Sequence, residues 1–363
     1  MTAHGGDVWQ VAAELGIPAS DLLDFSANIN PRGLPPAARE RLARDASDSQ
    51  LLSFYPDPCA RRLREALSDQ LEITADSIAV GPGAESLLAP ILGCLQPRRA
   101  LVPIPAFSEY RRVCEQLQIE FTPFALERAE LFRIPVDRLC QRIQSESPAV
   151  VLLNNPHNPS GAMLDGHEIE RVFETAASSR AALLLDEAFI DYVPHASLVR
   201  EAAIRPGLIV LRSLTKFYGC PALRVGYAVA HPETIERIRS LLPTWPVTQL
   251  TIDALAQAVA DREYAGSSIA KNAAERERLA DSLIALGLFA FPSAANYLLL
   301  ELRGEMPTAA ELRSRLIARH RILIRNCDSY EGLAAGRYVR VAVRGPAENC
   351  RLIEALAEEL RLP

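Results

Sequence analysis

Between about Leu71 and Ala230 the chain repeats one pattern: a short apolar run, a turn, then a stretch with apolar residues at helical spacing. Six runs stand out: Ser77 to Val80, Ala100 to Pro103, Ala149 to Leu153, Ala181 to Leu185, Leu208 to Leu211 and Val225 to Val229. Most of them are continuously apolar rather than alternating, as in strands covered on both faces. Glu85 to Cys94, Phe107 to Leu117 and Asp165 to Ser178 carry the helical periodicity between them. The expected fold is α/β, a three-layer arrangement around a mainly parallel sheet. After Pro246 the pattern changes. A long polar helical run, Asp261 to Leu286, leads into strands at Asn296 to Leu300 and Tyr338 to Val343 and a closing helix at Pro346 to Leu360. This predicts a large domain over residues 46–245 and a smaller α+β domain built from 1–45 and 246–363.

Composition narrows the function classes. The 363 residues are 49% hydrophobic, enough to core two such units. Lys plus Arg number 39 against 45 Asp plus Glu, so no basic excess suggests nucleic acid as a partner. The apolar runs fall far short of the roughly 20 residues that cross a bilayer, so no membrane partner is expected. The opening MTAHGGDVWQ lacks a basic segment before an apolar core, and no secretory leader is expected. Seven cysteines without CxxC spacing read as reduced thiols of a cytoplasmic protein, and no metal site is expected.

The chemistry gathers at the ends of the apolar runs. Ser213-Leu-Thr-Lys216 directly follows one of them, with Arg224 eight residues further on. Alone, Lys216 is as well read as a solvated surface lysine. A hydroxyl and a guanidinium beside it suit a phosphate, and α/β proteins place ligands at the carboxyl ends of their strands. Asp186 ends the most apolar run of the chain, where a carboxylate must meet water or a cation. Asn154-Asn-Pro-His-Asn158-Pro-Ser-Gly makes a turn at the same edge. Val80-Gly-Pro-Gly83-Ala84-Glu85-Ser86 stands between strand and helix, where free amides and the helix dipole receive phosphate.

In this order the motifs resemble the fold-type I, aspartate aminotransferase-like family of pyridoxal 5'-phosphate (PLP) enzymes. The resemblance implies that Lys216 is the Schiff-base lysine, that Asp186 pairs with the pyridine nitrogen and that Asn158 lies beside the phenolic oxygen. It also implies that Phe107 stacks on the ring and that Ala84, Glu85, Ser213 and Arg224 hold the phosphate. Tyr55, in Tyr55-Pro-Asp-Pro58, matches a tyrosine that reaches the cofactor of a second subunit, which implies a homodimer. Phe189 departs from the pattern, since many relatives carry tyrosine there.

His4-Gly-Gly-Asp and Asp24-Phe-Ser-Ala-Asn28-Ile-Asn30-Pro resemble the threonine-phosphate decarboxylase branch, which serves cobalamin biosynthesis. Arg32 and His157 depart from it, and Arg32 reads as a solvated loop cation. The histidinol-phosphate aminotransferase branch is the alternative. Either implies a phosphorylated amino compound as substrate, read by Arg340 at its carboxylate and by Arg325 at its phosphate, with His4, Asn30 and Asn158 as further substrate contacts. Arg224, Arg325 and Arg340 are therefore expected at one cleft of an acidic protein.

Overall fold

The computed structural model describes residues 5–360, so His4 lies outside the described residues. Its strands are β1 (Leu23–Asp24), β2 (Ile78–Gly81), β3 (Arg99–Ile104), β4 (Glu120–Ala125), β5 (Val150–Asn154), β6 (Ala182–Asp186) and β7 (Leu208–Ser213). They continue with β8 (Gly226–Val229), β9 (Phe289–Ala290), β10 (Tyr297–Glu301), β11 (Ile322–Leu323), β12 (Arg325–Asn326) and β13 (Tyr338–Ala342). Seven form one sheet in the order β2-β8-β7-β6-β5-β3-β4. Neighbours from β4 through β7 pair in parallel, and β8 is antiparallel to both β7 and β2. The six apolar runs are thus six strands of one mainly parallel sheet.

The absence of alternation has its expected cause. Val151, Leu153, Leu183, Leu185 and Val210 point into one core, while Leu152, Leu184, Ile209 and Leu211 point into a second core on the opposite face. Each fully buried side chain of this kind contributes roughly 1.5–3 kcal/mol, so helices cover both faces. The sheet edge β4 escapes an apolar-run search because only Phe124 in it is buried. Edge strands keep polar residues, and Pro123 is tolerated there because no further strand needs its missing N–H.

A four-stranded sheet, β12-β13-β10-β9, packs with the helices Ala309–His320 and Pro346–Glu359 around Leu298, Leu300, Val339, Val341, Leu316 and Leu356. β1 pairs in parallel with β11, which ties the N-terminal segment to this smaller unit. The larger core extends beyond residue 245: Ile252 and Leu255 of the helix Gln249–Ala260 join it, as does Ala38. Among the described residues no helix is long and apolar enough to cross a membrane.

Two features of this framework position the chemistry. Asn154, Asp186 and Ser213 are the last residues of β5, β6 and β7, which lie side by side, so three polar side chains share one edge of an apolar sheet. Gly226 opens β8 opposite Ser213, and a Cβ there would lie 2.4 Å from the amide nitrogen of Ala84. Only glycine lets the first turn of the helix Ala84–Leu95 rest on the sheet beside Ser213.

Candidate active site

A cavity of about 240 Å³ opens at this edge, lined by Ala84, Glu85, Ser213, Lys216 and Arg224 on one side and by Phe107, Asn158, Asp186, Arg325 and Arg340 on the other. Lys216 lies on the short helix Leu214–Phe217, which begins where β7 ends. The chain has 37 arginines but two lysines. The other, Lys271, is exposed on the helix Arg262–Ala285, so Lys216, half-buried in the cavity wall, is the amine of this site. Its Nζ donates to Ser213 Oγ at 3.3 Å. Burial lowers its pKa, Asp186 opposes the shift, and Arg224 and Arg340 add to it.

Asp186 faces the opposite problem, because burial raises the pKa of its carboxyl. Tyr110 Oη donates to its Oδ2 at 2.6 Å and the Ala188 amide to its Oδ1 at 2.9 Å. Both bonds, with the charge of Lys216, favour the ionised form. The site therefore holds a buried acid and a half-buried base whose charges stabilise one another.

An anion cradle lies beside them. The helix Ala84–Leu95 starts at Gly83 without a side-chain cap, which leaves first-turn amides for another acceptor. Arg224 closes the cradle: its Nη2 lies 2.9 Å from where a Cβ on Gly83 would stand, and Gly83 has φ 102°, a backbone that favours glycine. On the far side Arg340 Nη1 donates to Asn158 Oδ1 (2.5 Å) and to Tyr330 Oη (3.0 Å), and its Nη2 donates to the carbonyl of Ser26 (3.2 Å). Arg340 Nε is buried with no partner among the described residues. Asn158 is fixed in turn through Asn154, whose Oδ1 accepts its amide (2.7 Å) and whose Nδ2 donates to the carbonyl of Asp186 (2.7 Å). Arg325 Nη2 donates to Ser329 Oγ at 2.6 Å. Phe189 packs edge-on against Tyr297 with centroids 5.0 Å apart, and its ring lies 5.9 Å from Lys216 Nζ.

Two other sequence candidates are not brought into this cavity. Asn30 is buried behind it: its Nδ2 donates to the carbonyl of Phe217 (2.8 Å) and to Tyr264 Oη (3.2 Å), and its amide donates to the carbonyl of Lys216 (3.0 Å). It braces the lysine's segment from outside. Tyr55 is 77% exposed and stacks on Trp245 at 4.3 Å. Arg32 is exposed, as a loop cation should be, yet it is held over the Tyr264 ring at 4.3 Å and bonded to Ser268 Oγ at 2.7 Å.

The sequence reading omitted Tyr110 and Tyr330. A signal for Tyr110 existed, since it lies in the first turn of the helix Ser108–Gln116 that Phe107 caps, and its ring meets that of Phe107 edge-on with centroids 5.7 Å apart. None existed for Tyr330, which a loop after β12 delivers to Asn158. His157 proves structural. Its Nε2 donates to the carbonyl of Pro105 at 2.8 Å, so Nδ1 accepts from Ser160 Oγ at 2.7 Å and the ring is neutral.

A lysine, a strand-end aspartate and an arginine at an uncapped helix start define a class, and the chain belongs to the aminotransferase class I and II family, whose sequence profile matches residues 20–356. Enzymes of this family depend on PLP. The chain is 34% identical to the threonine-phosphate decarboxylase of Salmonella typhimurium, over 99% of this chain and 97% of that one. Its fold is similar to that of L-threonine-O-3-phosphate decarboxylase from Porphyromonas gingivalis, with TM-score 0.80 and 25% identity over 93% of this chain and 99% of that one. It is also similar to that of the histidinol-phosphate aminotransferase of Sinorhizobium meliloti in complex with pyridoxal-5'-phosphate, with TM-score 0.86 and 23% identity over 97% and 94% of the two chains. The residues present suit that cofactor: an amine for its aldehyde, a carboxylate for its ring nitrogen and a cradle for its phosphate.

Burial depresses the pKa of His157 to about 4, against 6.5 when exposed. The folded state therefore binds fewer protons than the unfolded chain between those values. Stability that is complete above pH 6.5 is lost as pH falls towards 4, by about 2–3 kcal/mol at pH 4.5. His157→Asn removes this component, so urea unfolding at pH 7 and 4.5 should show a smaller acid loss in the variant. Equal losses would contradict the assignment.

Proposed function

We propose that the chain binds PLP and decarboxylates L-threonine O-3-phosphate to (R)-1-amino-2-propanol O-2-phosphate, as a step of cobalamin biosynthesis. The observation that carries this reading is the convergence of Arg224, Arg325 and Arg340 on the cavity that holds Lys216 and Asp186. One arginine serves the cofactor's phosphate, which leaves two for a substrate with two anionic ends. The 34% identity to a threonine-phosphate decarboxylase supports the same substrate class.

When bound, PLP supplies a protonated pyridine ring that accepts the electron pair of a breaking bond at the substrate's Cα. Asp186, where Tyr110 and Ala188 oppose the rise in pKa that burial causes, would hold the proton on that ring nitrogen. Lys216 would hold the cofactor through its aldehyde, and its amine is placed to serve as the acid that would return a proton to Cα. Phe107 and Ala188, which line the cavity, would confine the ring. Which bond breaks depends on orientation, because only a bond perpendicular to the ring overlaps its π system. Arg340 at the carboxylate and Arg325 at the phosphate set that orientation, so decarboxylation needs no catalytic group beyond those of an aminotransferase.

The exposed apolar side chains Leu52, Phe54 and Tyr55, the last stacked on exposed Trp245, support a homodimer in which Tyr55 reaches the partner's cofactor phosphate. Sedimentation should give twice the chain mass, and a monomer would remove this assignment. The seven cysteines are free thiols, which supports a reducing cytoplasm as the working compartment.

PLP-loaded protein given L-threonine O-3-phosphate should release carbon dioxide and aminopropanol phosphate. Arg325→Ala should lower kcat/KM by about tenfold to a hundredfold, the size of one lost charge-assisted contact. Turnover of histidinol phosphate with 2-oxoglutarate, and none of the phosphothreonine, would instead establish the aminotransferase.

A further inference from the structure

Arg325 and Arg340 occupy paired positions on the antiparallel neighbours β12 and β13. Paired residues of such strands project from the same face with Cβ atoms roughly 5 Å apart, and like charges there repel. Both side chains are buried, at 7% and 6% exposure. Two guanidinium groups in this arrangement need something between them, and Tyr330 occupies that place. Its ring lies beneath the Arg325 guanidinium, 5.5 Å from carbon to centroid. Its hydroxyl accepts from Arg340 Nη1 at 3.0 Å and donates to Asn158 Oδ1, also at 3.0 Å. The negative π face thus meets one cation and an oxygen lone pair meets the other.

We propose that Tyr330 is a positioning residue for substrate selection: its hydroxyl aims Arg340 at a carboxylate and its ring supports Arg325 at a phosphate. This inference deepens the two-anchor reading above and rests on it. The triangle of Arg340 Nη1, Tyr330 Oη and Asn158 Oδ1 occupies one nitrogen of the guanidinium. The residue still lines the cavity, where the guanidinium can meet a substrate carboxylate. Without the hydroxyl, Asn158 Oδ1 retains only Arg340 as a side-chain donor, and the guanidinium loses one of the bonds that set its plane. The phosphate end, supported by the ring, is unaffected. A tyrosine that merely filled the core would show no such division between its two halves.

The test compares two unreactive ligands that lack an amine and differ at one end. 3-Phosphoglycerate carries a carboxylate and a phosphate, while glycerol 3-phosphate has a hydroxymethyl group in place of the carboxylate. Titration calorimetry on PLP-loaded protein should show wild type favouring 3-phosphoglycerate by tenfold or more. In Tyr330→Phe that ratio should fall to threefold or less, with glycerol 3-phosphate bound within twofold of wild type. The phenyl ring occupies the same volume, and retained glycerol 3-phosphate binding reports an intact cavity. Tyr330→Leu should weaken both ligands. An unchanged ratio in Tyr330→Phe, or equal weakening of the two ligands by that variant, would overturn the assignment to Tyr330. Wild-type protein that bound both ligands equally, or neither, would instead overturn the two-anchor reading itself.

Discussion

Two groups of opposite charge, withdrawn from water at the edge of an apolar sheet, set the terms for the rest of this structure. Neither Lys216 nor Asp186 would remain ionised alone at such a depth, since desolvation moves their pKa values in opposite directions, each toward neutrality. What opposes that shift at Asp186 is local: the Tyr110 hydroxyl, the Ala188 amide and the field of the lysine. What keeps Lys216 in place is also local. The Ser213 hydroxyl holds the amine, and the backbone of Asn30 holds the segment that carries it.

The fold supplies these neighbours by topology. Parallel strands end at the same edge, so the last residues of β5, β6 and β7 meet although they are about 30 residues apart in the chain. The smaller unit then contributes what the larger sheet lacks. β12 and β13 bring two arginines to the open side, at a cost in mutual repulsion that Tyr330 reduces. The three arginines of the cavity thus come from both sheets, Arg224 from beside β8 and Arg325 and Arg340 from β12 and β13, and give it a polarity that the net acidic charge of the chain does not suggest.

How much of this was legible in the sequence follows from what each residue depends on. Six strands of the large sheet could be read because burial on both faces writes itself as uninterrupted apolar runs. β4 could not, because only Phe124 of its six residues is buried, whereas β2 at the other edge is buried throughout. Lys216, Asp186, Asn158 and Arg224 could be placed because each sits immediately after a strand or in a motif whose spacing is local. Asn30 belonged to an equally recognisable motif, yet its amide is consumed by Phe217 and Tyr264, partners that only tertiary structure reveals. Tyr330 lies five residues beyond Arg325 in an irregular loop, and its role depends on a cross-strand pairing that no local pattern encodes.

The central claim is that this sheet edge carries one amine built to hold a cofactor's aldehyde. With two lysines in the chain, a chemical label decides the matter directly. Protein loaded with PLP, reduced with borohydride and digested should carry its pyridoxyl label on the peptide containing Lys216, at about one label per chain. A label on Lys271, or no label at either lysine, would contradict the account.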